Sequence, residues 1–240
     1  MRIQQHATFL MSMVQRVKAG SLAPAAFQRP YVWSRADVMA LCTSILEAYP
    51  IGGFLSWAPG PAADVSALAR HRLGPIVLET SARAPALLLD GQNRLATLAW
   101  LLHDFTTGMP TDLSDKEQET WATGEELIVD METKELRFVK HANAAEGFSL
   151  PAAAMFDSRV ANTLIRARWE RNWKDFSEEQ KDAGLKWLDH CADCFREARI
   201  VETVLENATP AEARKAFLHI CRVGVPMDQA DFDKAIGWTE

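Results

Sequence analysis

Apolar residues recur along this chain at two spacings, and each spacing predicts its own kind of element. Phe9, Met13, Val14 and Val17 fall on one helical face, which predicts a helix over residues 7–18 with Gly20 as its stop. Ser34 stands where an N-cap belongs, ahead of Val38, Leu41, Cys42, Ile45 and Leu46, so a second helix is expected to run to about Ala48, with Pro50 closing it. Gly52 and Gly53 predict a turn, and "FLSW" after them a short strand. Residues 58–75 are rich in Pro, Gly and Ala and predict a loop or inserted segment, while "PIVLET" reads as a strand.

The period changes abruptly within "ALLLDGQNRLATLAWLLHDF". Leu87, Leu88 and Leu89 make a continuous apolar run, as a buried strand does. Asp90-Gly91 is a turn signal, and from Gln92 onward Leu95, Leu98, Ala99 and Leu102 follow helical spacing. Strand, tight turn and helix N-terminus would gather unpaired backbone N–H groups and the positive end of the helix dipole at one spot. Arg94 in the first turn would add a full charge to that pull on an anion. An ordinary turn capped by Asp90 produces the same pattern, so this segment alone leaves both readings open.

Further on, "TTGMPTDLSDKEQETWATGEE" predicts a long polar connection, and "LIVDMETKELRFV" a hairpin around Glu132, Thr133 and Lys134. Helices are expected at about 157–172 and 177–195, and a strand in "RIVETVLEN". Thr209-Pro210 pairs an N-cap with proline at the first helical position, opening a helix to about Arg222, and Asp228 would cap a last short helix. Strands and helices mix without strict alternation, which predicts an α+β fold: a small mixed sheet with flanking helices and a helical C-terminal half.

Composition narrows the function. Net charge is −6, which argues against a protein whose task is coating nucleic acid, though a local basic patch stays open. The apolar stretch near the N-terminus is interrupted by Ser12 and Gln15-Arg16, so neither a cleavable signal nor a membrane span is predicted and a cytoplasmic location is expected. Cys42, Cys191, Cys194 and Cys221 are too scattered for a disulfide scaffold, and the "CADC" pair lies in a helical run without a second ligand pair for zinc.

Four fragments, "FQRPYVW", "YPIGGFLSW", "LLLDGQNRLATL" and "EARKAFLHICRVGVPMDQADFDKA", resemble in order the landmarks of the DGQQR-motif domain. This is the ParB/sulfiredoxin-like domain at the N-terminus of GmrSD-type modification-dependent restriction enzymes, and the resemblance runs from about residue 7 to 236. It implies one nucleotide-binding domain over residues 1–240 with no P-loop, a ParB-like core to about residue 140 and a mostly helical extension completing it. It also implies nucleoside-triphosphate binding and hydrolysis with Mg²⁺. Asp90, Gly91, Gln92 and Arg94 match the motif, and Gln28-Arg29 the family's other basic landmark. Asn93 stands where the motif usually has Gln, and "HICRVGVPMD" lacks an asparagine common near Cys221 or Arg222.

Phosphate chemistry needs positive charge, a metal ion and a group that orients the attacking oxygen. On this reading Arg94 and Arg29 clamp phosphate, Gln92 orients water or another acceptor, and Asp90 holds Mg²⁺ or takes a proton. Gly91, Gln28, Asn93 and a Gly52-Gly53 turn would complete the phosphate site, and Trp33 is a candidate for base stacking beside its alternative as core. Arg166, Arg168, Arg171 and Lys174 interleave with Trp169 and Trp173 as a candidate nucleic-acid patch, against the alternative of a solvated helix face. The six histidines do not suggest a nuclease centre, so modified DNA would be met directly or through a separate nuclease subunit, and a homo-oligomer is possible. Three functions are therefore expected in order: nucleoside-triphosphate hydrolysis in phage defence, γ-phosphate transfer to a hydroxyl acceptor, and a non-catalytic nucleotide-gated module. Which of ATP, GTP, CTP or UTP is used is not legible.

Overall fold

The computed structural model describes residues 1–60, 65–78, 86–141 and 146–223. The chain opens with β1 (Arg2–Phe9), α1 (Leu10–Lys18) and β2 (Leu22–Pro24), followed by α2 (Arg35–Leu46). Next come β3 (Phe54–Ala58), the short β4 (Arg72–Leu73) and β5 (Ile76–Val77), then β6 (Ala86–Asp90) and α3 (Gln92–Leu101). The remainder is α4 (Asp115–Trp121), β7 (Glu125–Asp130), β8 (Glu135–Lys140), β9 (Ser149–Pro151), α5 (Ser158–Trp169), α6 (Glu178–Glu197), β10 (Arg199–Glu206) and α7 (Pro210–Val223). These elements fall into two compact units. Met1–Val32, Ile51–Ala96 and the segment from Arg199 make the first, and Trp33–Pro50 with Thr97–Ala198 make the second. The first unit draws on both ends of the sequence, because β10 belongs to its sheet.

That sheet has the order β1-β10-β3-β6-β2 and is mixed. β10 runs antiparallel to β1 and parallel to β3, while β6 is antiparallel to β3 and parallel to β2. Leu87, Leu88 and Leu89 are wholly buried, which explains an unbroken apolar run rather than an alternating one. Each such side chain contributes about 1.5–3 kcal/mol of burial, so β6 anchors the sheet just before the Asp90-Gly91 break. α1 buries Leu10, Met13, Val14 and Val17, and Gly20 after it has φ +70°, the left-handed conformation of a helix stop.

β1 was not legible as a strand. The helix expected from residue 7 begins only at Leu10, and Phe9 is the last strand residue, stacked under the Arg199 guanidinium at 4.5 Å. β1 lies at the sheet edge with most of its side chains exposed, so its alternation has no hydrophobic amplitude. The helix from Thr209-Pro210 forms as expected, with the Thr209 hydroxyl accepting from the Glu212 N–H. The short helix expected after Asp228 lies outside the described residues.

In the second unit the predicted hairpin forms. β7 and β8 pair along their length, and β9 adds to the other side of β7. Asp130 shapes the turn by accepting from the N–H groups of Glu132 and Thr133 and from Arg137. The polar connection before the hairpin contains the unforeseen α4, which starts in a capping box between Ser114 and Glu117. α2 starts in the box Ser34–Asp37 and α6 in Ser177–Gln180. α6 passes close to Phe148 at Gly184, where a Cβ would come 2.6 Å from Phe148 Cζ and 2.8 Å from Met131 Cβ. Gly184→Ala is therefore expected to cost about 1–2 kcal/mol through overpacking, despite alanine's better helix propensity. A fall in the urea midpoint checks it, and a rise would show that Phe148 swings aside freely. Among the described residues no helix is long and apolar enough to cross a membrane.

Candidate functional site

The Asp90–Arg94 corner lies in the first unit, where β6 ends and α3 begins. Gly91 has φ +97°, and a Cβ there would sit 2.6 Å from Phe54 Cε1, so both the backbone angle and the packing demand glycine. Phe54 is 2% exposed and forms the floor of the corner. The Arg94 guanidinium lies over the same ring at 4.8 Å from its centroid. Its Nη1 donates to the Ile51 carbonyl at 2.6 Å, and its Nη2 is 3.4 Å from Asp90 Oδ2. Burial pulls the Arg94 guanidinium below its ordinary value and the Asp90 carboxylate opposes this. The ordinary value is so high that the group stays charged.

Gly52 and Gly53 lie in the irregular segment that leads into β3, and that segment belongs to this corner. Gly52 has φ +81°, and a Cβ on it would lie 2.6 Å from Arg94 Nη1. A Cβ on Gly53 would lie 3.1 Å from the Val201 carbonyl. Arg94 thus ties the Ile51–Gly53 segment to the start of α3. The Asp90 side chain is half exposed, so its carboxylate stays accessible beside that link. Gln92, the first residue of α3, keeps its Oε1 buried with no hydrogen-bond partner among the described residues. A buried acceptor left unmatched costs about 1–3 kcal/mol, and among the described residues the indole N–H groups of Trp100, Trp121 and Trp187 share that state.

The Gln28–Val32 segment is fixed to the corner at two points. Gln28 is buried and its Nε2 donates to the Leu88 carbonyl at 2.8 Å, next to the Ala25 N–H on the same oxygen. Its own carbonyl accepts from Arg70. At the other end the Val32 N–H donates to Asn93 Oδ1 at 3.1 Å. Arg29 is exposed between these two anchors, and Pro30 follows it.

The candidate nucleic-acid patch divides in the structure. Arg166, Arg171 and Lys174 are exposed, whereas Arg168 is 8% exposed and donates to the Ser149 carbonyl at 2.5 Å. Trp173 is fully buried and donates to the Gly147 carbonyl, and Trp169 lies under the Lys181 ammonium. Arg168 and Trp173 are therefore corrected from surface candidates to core residues, because their polar groups close backbone carbonyls in the second unit. Trp33 is half-buried, with its carbonyl accepting from Thr120. A cavity of about 480 Å³ in the second unit is lined by Ser34, Arg35, Lys116, Glu119, Thr123 and Glu125, and none of the expected site residues lines it. Arg35 there is bonded to Glu125 and Thr123. Cys42 and Cys191 are buried thiols, both pushed up to about 12 chiefly by burial, which makes them poor nucleophiles. Among the described residues no three His, Cys, Asp or Glu side chains converge on a metal position.

One polar cluster was missed. Glu202 in β10 is wholly buried and accepts from Arg16 Nη1 at 2.9 and 2.7 Å and from the Ser56 hydroxyl at 2.6 Å, with His6 Nε2 at 3.2 Å. Its strand register sets it opposite His6 on one side and Phe54 on the other. The alternation in "RIVETVLEN" carries the signal, since it puts Glu202 on the same face as buried Ile200. A carboxylate at an inward position calls for a cation, and Arg16 supplies it from α1.

Comparison with known proteins agrees with the landmarks. Residues 11–236 match the family described as "GmrSD restriction endonuclease, N-terminal domain". The chain is also similar to Uncharacterized protein MJ0686 of Methanocaldococcus jannaschii, at 30% identity over 107 residues, which covers 43% of this chain and 18% of that protein. This chain thus spans under a fifth of that relative's length. The family match takes in both compact units, the corner at Asp90–Arg94 and nearly every element named above: the chain belongs to the GmrSD restriction endonuclease N-terminal domain family, which links it to restriction-type enzymes.

Proposed function

We propose that this chain binds and hydrolyses a nucleoside triphosphate with Mg²⁺ at the Asp90–Arg94 corner, as part of a restriction system directed at modified phage DNA, and that its sheet is of the ParB/sulfiredoxin-like kind. The observation that carries the reading is the unmatched buried Gln92 Oε1 at the head of α3, directly after the positive-φ Gly91. A helix N-terminus attracts phosphate through its free N–H groups and dipole, and a lone acceptor beside it is placed to receive the O–H of an attacking water. Arg94 keeps its charge and has more N–H donors than its contacts to Ile51 and Asp90 use.

The half-exposed Asp90 carboxylate is a hard oxygen donor of the type Mg²⁺ takes, in keeping with an ion held by few protein ligands plus phosphate oxygens. When bound, Mg²⁺ supplies charge neutralisation on the phosphates. Gln92 orients the water, Asp90 accepts its proton, and Arg94 and Arg29 stabilise the charge on the phosphoryl oxygens. A bond forms from the water oxygen to the γ-phosphorus, and the bond from that phosphorus to the β–γ bridging oxygen breaks, leaving nucleoside diphosphate and phosphate.

A panel of ATP, GTP, CTP and UTP, with Mg²⁺ and with or without hydroxymethylated DNA, is expected to show phosphate release with one nucleotide preferred. Label on DNA or on a small hydroxyl compound in place of free phosphate would make the chain a phosphotransferase. Tight binding without turnover would make it a nucleotide-gated module, and no binding of any nucleotide would end the proposal.

A further inference from the structure

We infer that Asn93 is a positioning residue that fixes the Gln28–Val32 segment, and with it Arg29, against the first turn of α3. The inference deepens the nucleotide reading and rests on it for Arg29's role, but not for the anchor itself. The geometry is direct. Asn93 Oδ1 accepts the Val32 N–H at 3.1 Å, and Gln28 Nε2 donates to Leu88 at 2.8 Å. One anchor therefore holds the segment to α3 and the other to β6, which are the two elements that make the corner. Between the anchors Pro30 fixes its own φ and keeps Arg29 extended, and Tyr31 is buried next to Val32, so the exposed stretch with the most freedom is Val32 itself once its bond is lost.

The two anchors differ in strength. The Gln28 amide is buried and its hydrogen bond is shielded, whereas the Val32–Asn93 bond is exposed and water competes for it. Val32 is thus the end that releases when Asn93 is lost. The side-chain oxygen of Asn93 is already committed to a backbone N–H of the same unit, so it acts on nucleotide through Arg29 rather than by touching phosphate. This gives the fourth motif residue a task that needs a short side chain with an acceptor oxygen: reaching a neighbouring backbone and holding it still.

The test uses the full chain and reads the anchor and its consequence separately. Hydrogen exchange at the Val32 amide is expected to accelerate at least tenfold in Asn93→Ala and to stay near wild type in Asn93→Asp, which keeps an acceptor oxygen. Nucleotide affinity, taken with the triphosphate preferred in the panel, is expected to fall about tenfold in Asn93→Ala. Arg29→Ala should fall at least as far, and the double variant should be no weaker than Arg29→Ala alone. Unchanged Val32 exchange in Asn93→Ala would overturn the anchor. An equal further loss from Asn93→Ala in the Arg29→Ala background would overturn the positioning role, because Asn93 would then act on the ligand itself. If wild type bound no nucleotide, the function proposed above would fail, while the exchange result would still decide whether Asn93 fixes Val32.

Discussion

Arg94→Lys is expected to lower phosphate release about 100-fold while the protein stays folded, the scale set by removing one well-placed donor from a charged transition state. The guanidinium meets the Ile51 carbonyl, the Asp90 carboxylate and the Phe54 ring at once, and its side chain is only 16% exposed. Lysine carries the same charge as a single rounded ammonium and cannot lie flat on a ring while reaching two oxygens in different directions. Charge at the corner would survive and its direction would not. Steady-state kinetics with the preferred triphosphate check this, together with a thermal melt to show that the fold persists. Retention of more than a third of the wild-type rate would show that Arg94 serves the Ile51–Gly53 segment alone.

Arg16→Ala is expected to destabilise the first unit by about 3 kcal/mol. Removing one partner of a buried ion pair leaves the other charge without compensation. Glu202 has no exposure of its own, and after the substitution the Ser56 hydroxyl and His6 would be left facing it among the described residues. Arg16 is a third exposed, so the reverse change is milder. Glu202→Gln keeps an acceptor for Ser56 and lets the guanidinium turn to water, at about 1 kcal/mol. For a chain of this size 3 kcal/mol corresponds to a melting shift of about 6–12 °C, readable by calorimetry. Equal shifts for the two variants would mean that Glu202 stays solvated once Arg16 is gone.

The legible parts of the fold are those where local chemistry and tertiary packing agree. Leu87–Leu89, Gly91 and the helix from Gln92 could be placed from the change of period alone, as could the hairpin turn at Glu132–Lys134. The capping residues Ser34 and Thr209 also stood where the helices begin. β1 was hidden because an exposed edge strand has no apolar stripe, and its partner β10 lies at the far end of the chain. α4 was hidden behind a polar sequence, although Ser114 and Glu117 carry the signature of a capping box. At the corner the residue types were readable and their attachments were not. Nothing in the order of residues says that Arg94 reaches the Ile51 carbonyl, that Phe54 floors Gly91, or that Asn93 holds Val32. Those contacts depend on which strands become neighbours. Arg168 illustrates the opposite error, since a cation in a polar run was read as surface and instead closes a buried carbonyl.

The position of β10 between β1 and β3 has a consequence for the order in which the protein can be made. As the chain leaves the ribosome, β1, β3, β6 and β2 emerge early, but the strand that joins β1 to β3 comes only after the whole of Thr97–Ala198. Until then the first sheet presents open edges of the kind that attract stray pairing. The second unit has all its segments in hand before β10 is synthesised, so it is free to fold first. Translation therefore completes the first sheet last, when β10 docks beside β3 and brings Glu202 opposite Phe54.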